Sequence, residues 1–173
     1  MSVRLIGGPE GGRVRLSPYR PEWAERFAAE RERIAAALGP VAERIEHVGS
    51  TSVPGLDAKP IVDILVAVAD PADPSVRAAL EATGYVLRVD EEGHRMFRTP
   101  ERDVHVHLWV AGTPDVTDHV AFRDRLRASE ADRRAYSELK HRLAAEREWA
   151  DINDYAEAKG ALIGEILARA RTG

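Results

Sequence analysis

The sequence predicts an α+β fold in which a strand-rich region up to about residue 112 precedes a helical region over 113–173. Short segments of β-branched and alternating apolar residues recur between 44 and 110. After Gly112 no strand pattern remains, and apolar residues recur at helical spacing. A run of strands followed by a run of helices is typical of a sheet with helices packed on one side. At 173 residues, we expect one domain spanning 1–173.

The first elements follow from their boundary residues. A helix begins at Pro21, because proline suits a first turn, and ends where the Gly-Pro pair at 39–40 caps and breaks it. Residues 44–48 are predicted to form a short strand. The segment 60–69 is almost continuously apolar and β-branched, which is typical of a strand buried on both faces.

Four more segments complete the strand-rich region. They are a helix over 73–83 and strands over 85–89, 95–99 and 102–110, the last two joined by a tight turn at Pro100-Glu101. The last strand alternates between an apolar face and a polar one. The second face carries Asp103, His105, His107 and Trp109.

Three helices are predicted after Gly112. The first covers 115–128, the second is capped by Ser129 and extends to about 149, and the third is capped by Asp151 and extends to about 170. The glycine-rich segment 7–12 is interpreted as a flexible lead-in rather than a phosphate loop, because it follows no strong strand and opens no helix.

Composition excludes several classes of protein. The formal net charge is −4, which argues against a generally basic nucleic-acid-binding protein. The absence of cysteine excludes disulfides, thiolate metal sites and a cysteine nucleophile. The most apolar stretch, 64–69, is too short to cross a bilayer, and the N-terminus lacks the apolar core of a signal peptide. We therefore predict a cytoplasmic protein without a membrane segment, and the sequence leaves its oligomeric state open.

The loop after the strand at 44–48 is the sharpest candidate for function. Gly49 permits a close backbone turn, and Ser50, Thr51 and Ser52 place three hydroxyls beside backbone N–H groups. These groups predict a phosphate site, although no Gly-Lys-Ser/Thr follows as in a Walker loop. The alternative is a solvated serine-rich turn.

Two charged residues lie close behind this loop. Lys59 is held extended by Pro60 and could neutralise a phosphate, or could be a solvated lysine at a strand start. Asp63 lies inside the apolar strand, where a carboxylate is costly unless it is paired, hydrogen-bonded or bound to a metal. An aspartate bonded to backbone or to an arginine is the alternative there.

His105 and His107 project side by side from one strand face, about 7 Å apart. This spacing can ligate one metal or bracket one phosphate. The alternative is an exposed polar face with the tryptophan packed under a helix. Three basic side chains of the helical region could add a cationic wall, although charge runs there are also typical of solvated helix faces. They are Arg123, Lys140 and Lys159.

These motifs resemble a known family. The segments HVGSTSVPGL (47–56) and AKPIVDI (58–64) resemble the signature of the GrpB family, which belongs to the nucleotidyltransferase superfamily that includes DNA polymerase beta. The family's domain also occurs fused to dephospho-CoA kinase. The resemblance covers most of the chain. PEWA (21–24) looks like its opening helix, HVHL (105–108) looks like its His-x-His strand, and the three helices after Gly112 look like its C-terminal part.

The resemblance implies a mixed, mostly antiparallel sheet flanked by helices, with a Gly-Ser turn that cradles a nucleotide triphosphate. In the superfamily, carboxylates after this turn come as Asp-x-Asp or Asp-x-Glu and hold divalent metals. The first falls on Asp63, but the second position is Leu65, which cannot be a ligand. A third carboxylate would come from a neighbouring strand, where this chain offers Asp103, His105 and His107.

The resulting functional prediction is transfer of a nucleoside monophosphate from a nucleoside triphosphate to a hydroxyl or amine of a small molecule. Its catalytic residues are Asp63, His105 and His107, and Gly49, Ser50, Thr51, Ser52 and Lys59 bind the phosphates. Asp63 and His107 hold a divalent metal, Mg²⁺ or Mn²⁺ first and Zn²⁺ or Ni²⁺ as alternatives. A nucleotide-binding module without activity and a metal-dependent phosphohydrolase remain open.

Overall fold

The computed structural model describes residues 2–173, which form one six-stranded sheet and six α-helices. The strands are β1 (Arg4–Leu5), β2 (Arg44–Val48), β3 (Val62–Val68), β4 (Val86–Glu91), β5 (His94–Arg98) and β6 (Val104–Val110). The helices are α1 (Glu22–Leu38), α2 (Pro74–Ala82), α3 (Pro114–Ala128), α4 (Glu130–Glu146), α5 (Ile152–Glu157) and α6 (Gly160–Thr172). Short 3-10 turns cover Gly39–Val41 and Ser50–Ser52.

The order of strands across the sheet is β1-β4-β5-β6-β3-β2. Strands β3 and β6 run parallel, and the other neighbouring pairs are antiparallel. The predicted α+β fold with a mixed, mostly antiparallel sheet is therefore confirmed. In the parallel pair, Asp63 lies opposite His105 and Leu65 lies opposite His107. This register places the carboxylate and the two imidazoles at the centre of the sheet.

Helices cover both faces of the sheet, so the expectation that they pack on one side is wrong for α3. Helices α1 and α2 bury one face together with Ile64 and Val66 of β3. Leu65 and Ala67 point to the opposite face, where they pack against Val116 of α3. The physical reason is that β3 is apolar on both faces, and each face needs its own cover.

The C-terminal helices pack against the loop that follows β2. Val53 and Leu56 of this loop form a buried cluster with side chains of three helices, Leu126, Tyr136 and Ile166. The helix predicted from 151 to 170 is divided, since α5 ends at Glu157 and α6 begins at Gly160. Lys159 lies at this break, and its ammonium group lies near the rings of Tyr136 and Tyr155.

The N-terminal segment crosses from the sheet to the helices, so its interpretation as a flexible lead-in is wrong. Strand β1 pairs with β4 at the sheet edge. Further along, Gly12 forms a β-bridge with Trp149, and Ser17 forms one with Ala58. None of the helices over residues 2–173 is long and apolar enough to cross a membrane.

Candidate metal and anion site

Asp63, His105 and His107 form a compact group on the face of the sheet opposite α1. His107 Nε2 lies 3.1 Å from Asp63 Oδ1, and His105 Nδ1 lies 3.7 Å from the same oxygen. One possible ligand atom from each residue lies within 4.8 Å of the other two. Two imidazole nitrogens and one carboxylate oxygen are a donor set that suits a transition metal such as Mn²⁺, Zn²⁺ or Ni²⁺. These three residues could therefore hold one metal ion.

The protonation states of the group suit metal binding. Burial by itself would raise the pKa of Asp63, but the hydrogen bond and charge of His107, with His105 and Lys59, lower it to about 2. Burial lowers the pKa of His105 to about 4, against the opposing effect of Asp63. At neutral pH the carboxylate is ionised and His105 is neutral, and these are the forms that ligate metals.

Gly49 closes the site at the start of the loop. Its φ is 72°, a left-handed conformation that favours glycine. A Cβ atom at this position would lie only 2.6 Å from Asp63 Oδ2. The turn thus rests directly on the carboxylate, as only a residue without a side chain allows.

The three hydroxyls after Gly49 have different surroundings. Thr51 Oγ1 lies 2.9 Å from His47 Nε2, and Ser52 Oγ donates to the carbonyl oxygen of Gly49 at 2.5 Å. Both side chains are buried and bonded within the protein. Ser50 is part-exposed, and its Oγ accepts a hydrogen bond from Lys140 Nζ at 2.8 Å. Ser50 is therefore the hydroxyl of this turn that lies open to a ligand.

Three lysines, here called the lysine cluster, lie around two tyrosine rings, and one of them, Lys140, is hydrogen-bonded to Ser50. They are Lys59 from the loop, Lys140 from α4 and Lys159 from the break between α5 and α6. Lys140 and Lys159 lie 5.3 and 5.7 Å from the ring centre of Tyr136. Lys59 and Lys159 lie 5.4 and 4.7 Å from that of Tyr155. The sequence prediction placed Lys59 at the phosphate site and named the other two only as part of a cationic wall.

Burial and mutual repulsion lower the pKa values of the lysine cluster. Burial and the charges of the other two lysines lower the pKa of Lys140 to about 7. Burial lowers the pKa of Lys159 to about 8, and burial and Lys159 lower that of Lys59. The charge of Asp63 partly offsets the effect on all three. A negative charge placed beside these ammonium groups would offset their mutual repulsion.

Two other candidates from the sequence lie away from the site. Arg123 Nη1 donates to Glu46 Oε2 at 2.7 Å and to the carbonyl oxygen of His47 at 3.0 Å, so it anchors α3 to β2. Asp103 accepts from Thr99 Oγ1 at 2.6 Å. It takes no part in the group formed by Asp63 and the two histidines.

Sequence reasoning missed His94 and Glu91. His94 Nε2 lies 3.1 Å from His107 Nδ1, and His94 Nδ1 lies 2.5 Å from Glu91 Oε1. The antiparallel register of β5 and β6 sets His94 opposite Trp109, and the two rings stack with centres 4.0 Å apart. The available signal was that His94 lies in the strand that precedes β6, which carries His105 and His107. Only the register of the two strands shows that the ring of His94 contacts His107.

Comparison with known proteins agrees with this architecture. The family model described as GrpB protein matches residues 13–169. A UPF0157 protein of Streptomyces coelicolor is 51% identical over 98% of this chain and 90% of its own length. A dephospho-CoA kinase of Mycolicibacterium paratuberculosis is 30% identical over 91% of this chain, but over only 46% of its own length.

A solved structure extends the comparison to three dimensions. The crystal structure of conserved protein GrpB from Enterococcus faecalis is similar with a TM-score of 0.76 and 33% sequence identity. The match covers 90% of this chain and 96% of that one. The family model, the sequence relatives and the shared fold lead to one conclusion: the chain belongs to the GrpB family.

Proposed function

We propose that the protein is a nucleotidyltransferase that moves a nucleoside monophosphate from a nucleoside triphosphate to a hydroxyl or amine of a small molecule. The observation that carries this proposal is the meeting of a metal-ligand group and a lysine cluster at one turn, Gly49–Ser52. Nucleotidyl transfer needs a cation near the reacting phosphate and positive charge around the leaving pyrophosphate. The 47–64 motif resembles the signature of the GrpB family, and the nucleotidyltransferase superfamily, to which this resemblance implies that the family belongs, supports the same reaction.

Asp63, His105 and His107 would hold a single divalent ion. A bound ion of this kind neutralises phosphate charge and polarises the phosphoryl group. Leu65 stands at the position of a second carboxylate and is fully buried, so this position gives no second metal ligand. With two imidazoles in the donor set, Mn²⁺ or Zn²⁺ fits better than Mg²⁺, which prefers oxygen ligands.

The lysine cluster would bind the β- and γ-phosphates. Lys140 and Ser50 are already joined by a hydrogen bond, so a phosphate oxygen at Ser50 lies beside an ammonium group. Lys59 and Lys159 add charge from two other parts of the chain. Thr51 and Ser52 would support the turn rather than touch the ligand, because their hydroxyls are buried and bonded to the protein.

The buried Leu65 also supports a second candidate, a module that binds a nucleotide without transferring it. Such a module would keep the lysine cluster and the turn, and would dispense with two-metal chemistry. The two candidates differ in turnover, not in binding.

The deciding experiment follows pyrophosphate release from each nucleoside triphosphate with Mn²⁺, Zn²⁺ or Mg²⁺, with and without a pool of hydroxyl and amine acceptors. Transfer predicts release that depends on an acceptor, and His107→Ala should lower it by several kcal/mol in transition-state stabilisation, on the order of a hundredfold or more. His119→Ala is the matched control, because His119 is exposed and bonds only to a backbone carbonyl.

Other results of these measurements would indicate a different function. Turnover without an acceptor would indicate a phosphohydrolase. A rise in melting temperature with nucleotide, but no turnover, would indicate the binding module. If no phosphate compound raises the melting temperature of the wild-type protein, the phosphate site itself is wrong.

A further inference from the structure

Four polar side chains form a continuous hydrogen-bonded chain behind the candidate metal site. It starts at Asp63 Oδ1, which lies 3.1 Å from His107 Nε2. The other nitrogen of His107 lies 3.1 Å from His94 Nε2, and His94 Nδ1 lies 2.5 Å from Glu91 Oε1. Every ring nitrogen of the two histidines therefore has one protein partner.

The direction of these hydrogen bonds follows from the group at the end of the chain. An ionised Glu91 can only accept, so His94 Nδ1 must carry the proton that it donates there. His94 Nε2 of the neutral ring is then an acceptor, and His107 Nδ1–H donates to it. This leaves the lone pair of His107 Nε2 facing Asp63 Oδ1, which is also an acceptor. Without a metal, a proton on Nε2 gives the imidazolium form of His107 and joins the two atoms, which lie 3.1 Å apart; a bound metal ion takes the place of that proton.

We propose that Glu91 and His94 are positioning residues that fix the tautomer of His107, so that its Nε2 lone pair is presented to the metal beside Asp63. The inference rests on the proposed function, since it requires the metal site. Histidines that ligate metals commonly donate their other N–H to a carboxylate or carbonyl, which orients the ring. Here a second imidazole stands between the ligand and the carboxylate.

The packing of His94 is what this role requires. The residue is only 7% exposed. Its ring is stacked on Trp109, with an interplanar angle of 16°, and is nearly parallel to the ring of His107, at 9°. The ring therefore cannot rotate away from either hydrogen-bond partner without breaking a stack. A histidine that only filled space would not need a hydrogen bond to His107.

The test is a Co²⁺ titration of the full-length protein, followed by the visible absorption of the bound ion. His94→Phe keeps a ring against Trp109 but removes the acceptor for His107 Nδ1–H, and should weaken Co²⁺ binding about 10- to 100-fold. His94→Gln can place an amide oxygen near the lost Nε2 and should recover part of the loss. Glu91→Gln, which keeps an oxygen but not its charge, should have a smaller effect than His94→Phe.

His119→Phe is the matched control, because His119 also faces Trp109, with ring centres 5.5 Å apart, but does not contact His107. It should bind Co²⁺ as the wild type does. If His94→Phe also binds Co²⁺ with wild-type affinity, the positioning role is overturned while the metal site stands. If the wild-type protein itself fails to bind Co²⁺, the metal site of the proposed function fails, and this inference falls with it.

A second measurement needs no variant. In the Zn²⁺-loaded wild-type protein, ¹⁵N NMR of the histidine side chains should show His107 protonated at Nδ1 and His94 protonated at Nδ1. A proton on Nε2 of His107 would mean that the chain runs in the opposite direction and would overturn the proposal, whatever the fate of the His94 variants.

Discussion

Gly49 determines how closely the loop after β2 can approach Asp63. Its backbone is left-handed, and its missing side chain leaves room for a carboxylate oxygen that a Cβ would meet at 2.6 Å. Any residue with a Cβ atom would therefore have to displace the Asp63 carboxylate. The sequence predicted a tight turn at Gly49, and the structure shows how closely this turn lies on Asp63.

Gly49→Ala should lower both stability and metal affinity. The backbone conformation alone, with φ 72° and ψ −176°, costs about 1–3 kcal/mol for alanine, and the collision with Asp63 must also move the carboxylate. Gly112→Ala is the control, since Gly112 has a similar φ of 77° and nothing within 4 Å of a Cβ. Urea unfolding should show a loss for both variants. Co²⁺ titration should show a loss for Gly49→Ala only, and equal affinities would contradict the close approach.

Lys140 gives the site a dependence on pH. Because the pKa of Lys140 is lowered to about 7, the amine loses its charge as the pH rises through neutrality. Above that pH the protein must take up a proton to bind an anion, so binding weakens. Lys159, with a pKa lowered to about 8, extends the decline.

Pyrophosphate affinity should therefore fall between about pH 6 and about pH 9 more steeply in the wild type than in Lys140→Met, by up to about tenfold per pH unit above the pKa of Lys140. Isothermal titration calorimetry measures both slopes, and the ionisation of pyrophosphate itself cancels between the two proteins. Parallel slopes for the two proteins would show that Lys140 does not meet the anion.

At the scale of elements, the parallel pair β3–β6 assembles the candidate metal site. Alternation along 102–110 predicted that His105 and His107 share a face, and the apolar run around Asp63 predicted its strand. Whether those strands are neighbours depends on pairing between residues some 40 positions apart, which no local pattern encodes. His94 escaped prediction for the same reason, because its role exists only through the register of β5 and β6.

Leu65 of β3 occupies the position where the sequence resemblance implies a second carboxylate. It is fully buried among Val48, Ala67 and Val116. Leu65→Asp would place an unpaired carboxylate there and should lower the free energy of unfolding by about 3 kcal/mol or more. Leu65→Met, of similar volume, should lose less than about 1.5 kcal/mol. Calorimetry on both variants decides, and a stable Leu65→Asp protein would mean that the position is open to a metal.

The helical elements were predicted in number and order up to α4, because their caps and apolar spacing are local. Ser129 does cap α4, accepting from the backbone N–H of Asp132, and Asp151 caps α5. The break before α6 was missed because the apolar stripe continues across it. That break matters to the candidate site, since it turns Lys159 toward Tyr155.

At the scale of the whole molecule, the N-terminal segment ties the sheet to the helices. Gly11 lies so close to the chain at Trp149 and Ala150 that a Cβ would meet their carbonyl oxygens at 2.3 and 2.4 Å. From the sequence alone, closely spaced glycines indicate a flexible segment. Here the lack of side chains instead allows two distant backbones to lie together, and this contact is not visible without the tertiary structure.

Gly11→Ala should lower the free energy of unfolding by about 2 kcal/mol or more, because rigid backbone atoms must give way. Gly164→Ala, in the interior of α6 with nothing within 4 Å of its Cβ, should leave stability unchanged or raise it by about 0.5–1 kcal/mol. Urea unfolding curves compare the two. An unchanged midpoint for Gly11→Ala would indicate that the N-terminal segment is not held against Trp149 in solution.

The possible metal ligands come from the sheet, whereas two of the three lysines come from the helical part. Crowded lysines repel a lone cation, and a polyanion that neutralises them removes that repulsion. Metal and anion should therefore enter cooperatively, each raising the affinity for the other by the same factor. Together the bound metal and anion would stabilise the packing of the C-terminal helices against the sheet.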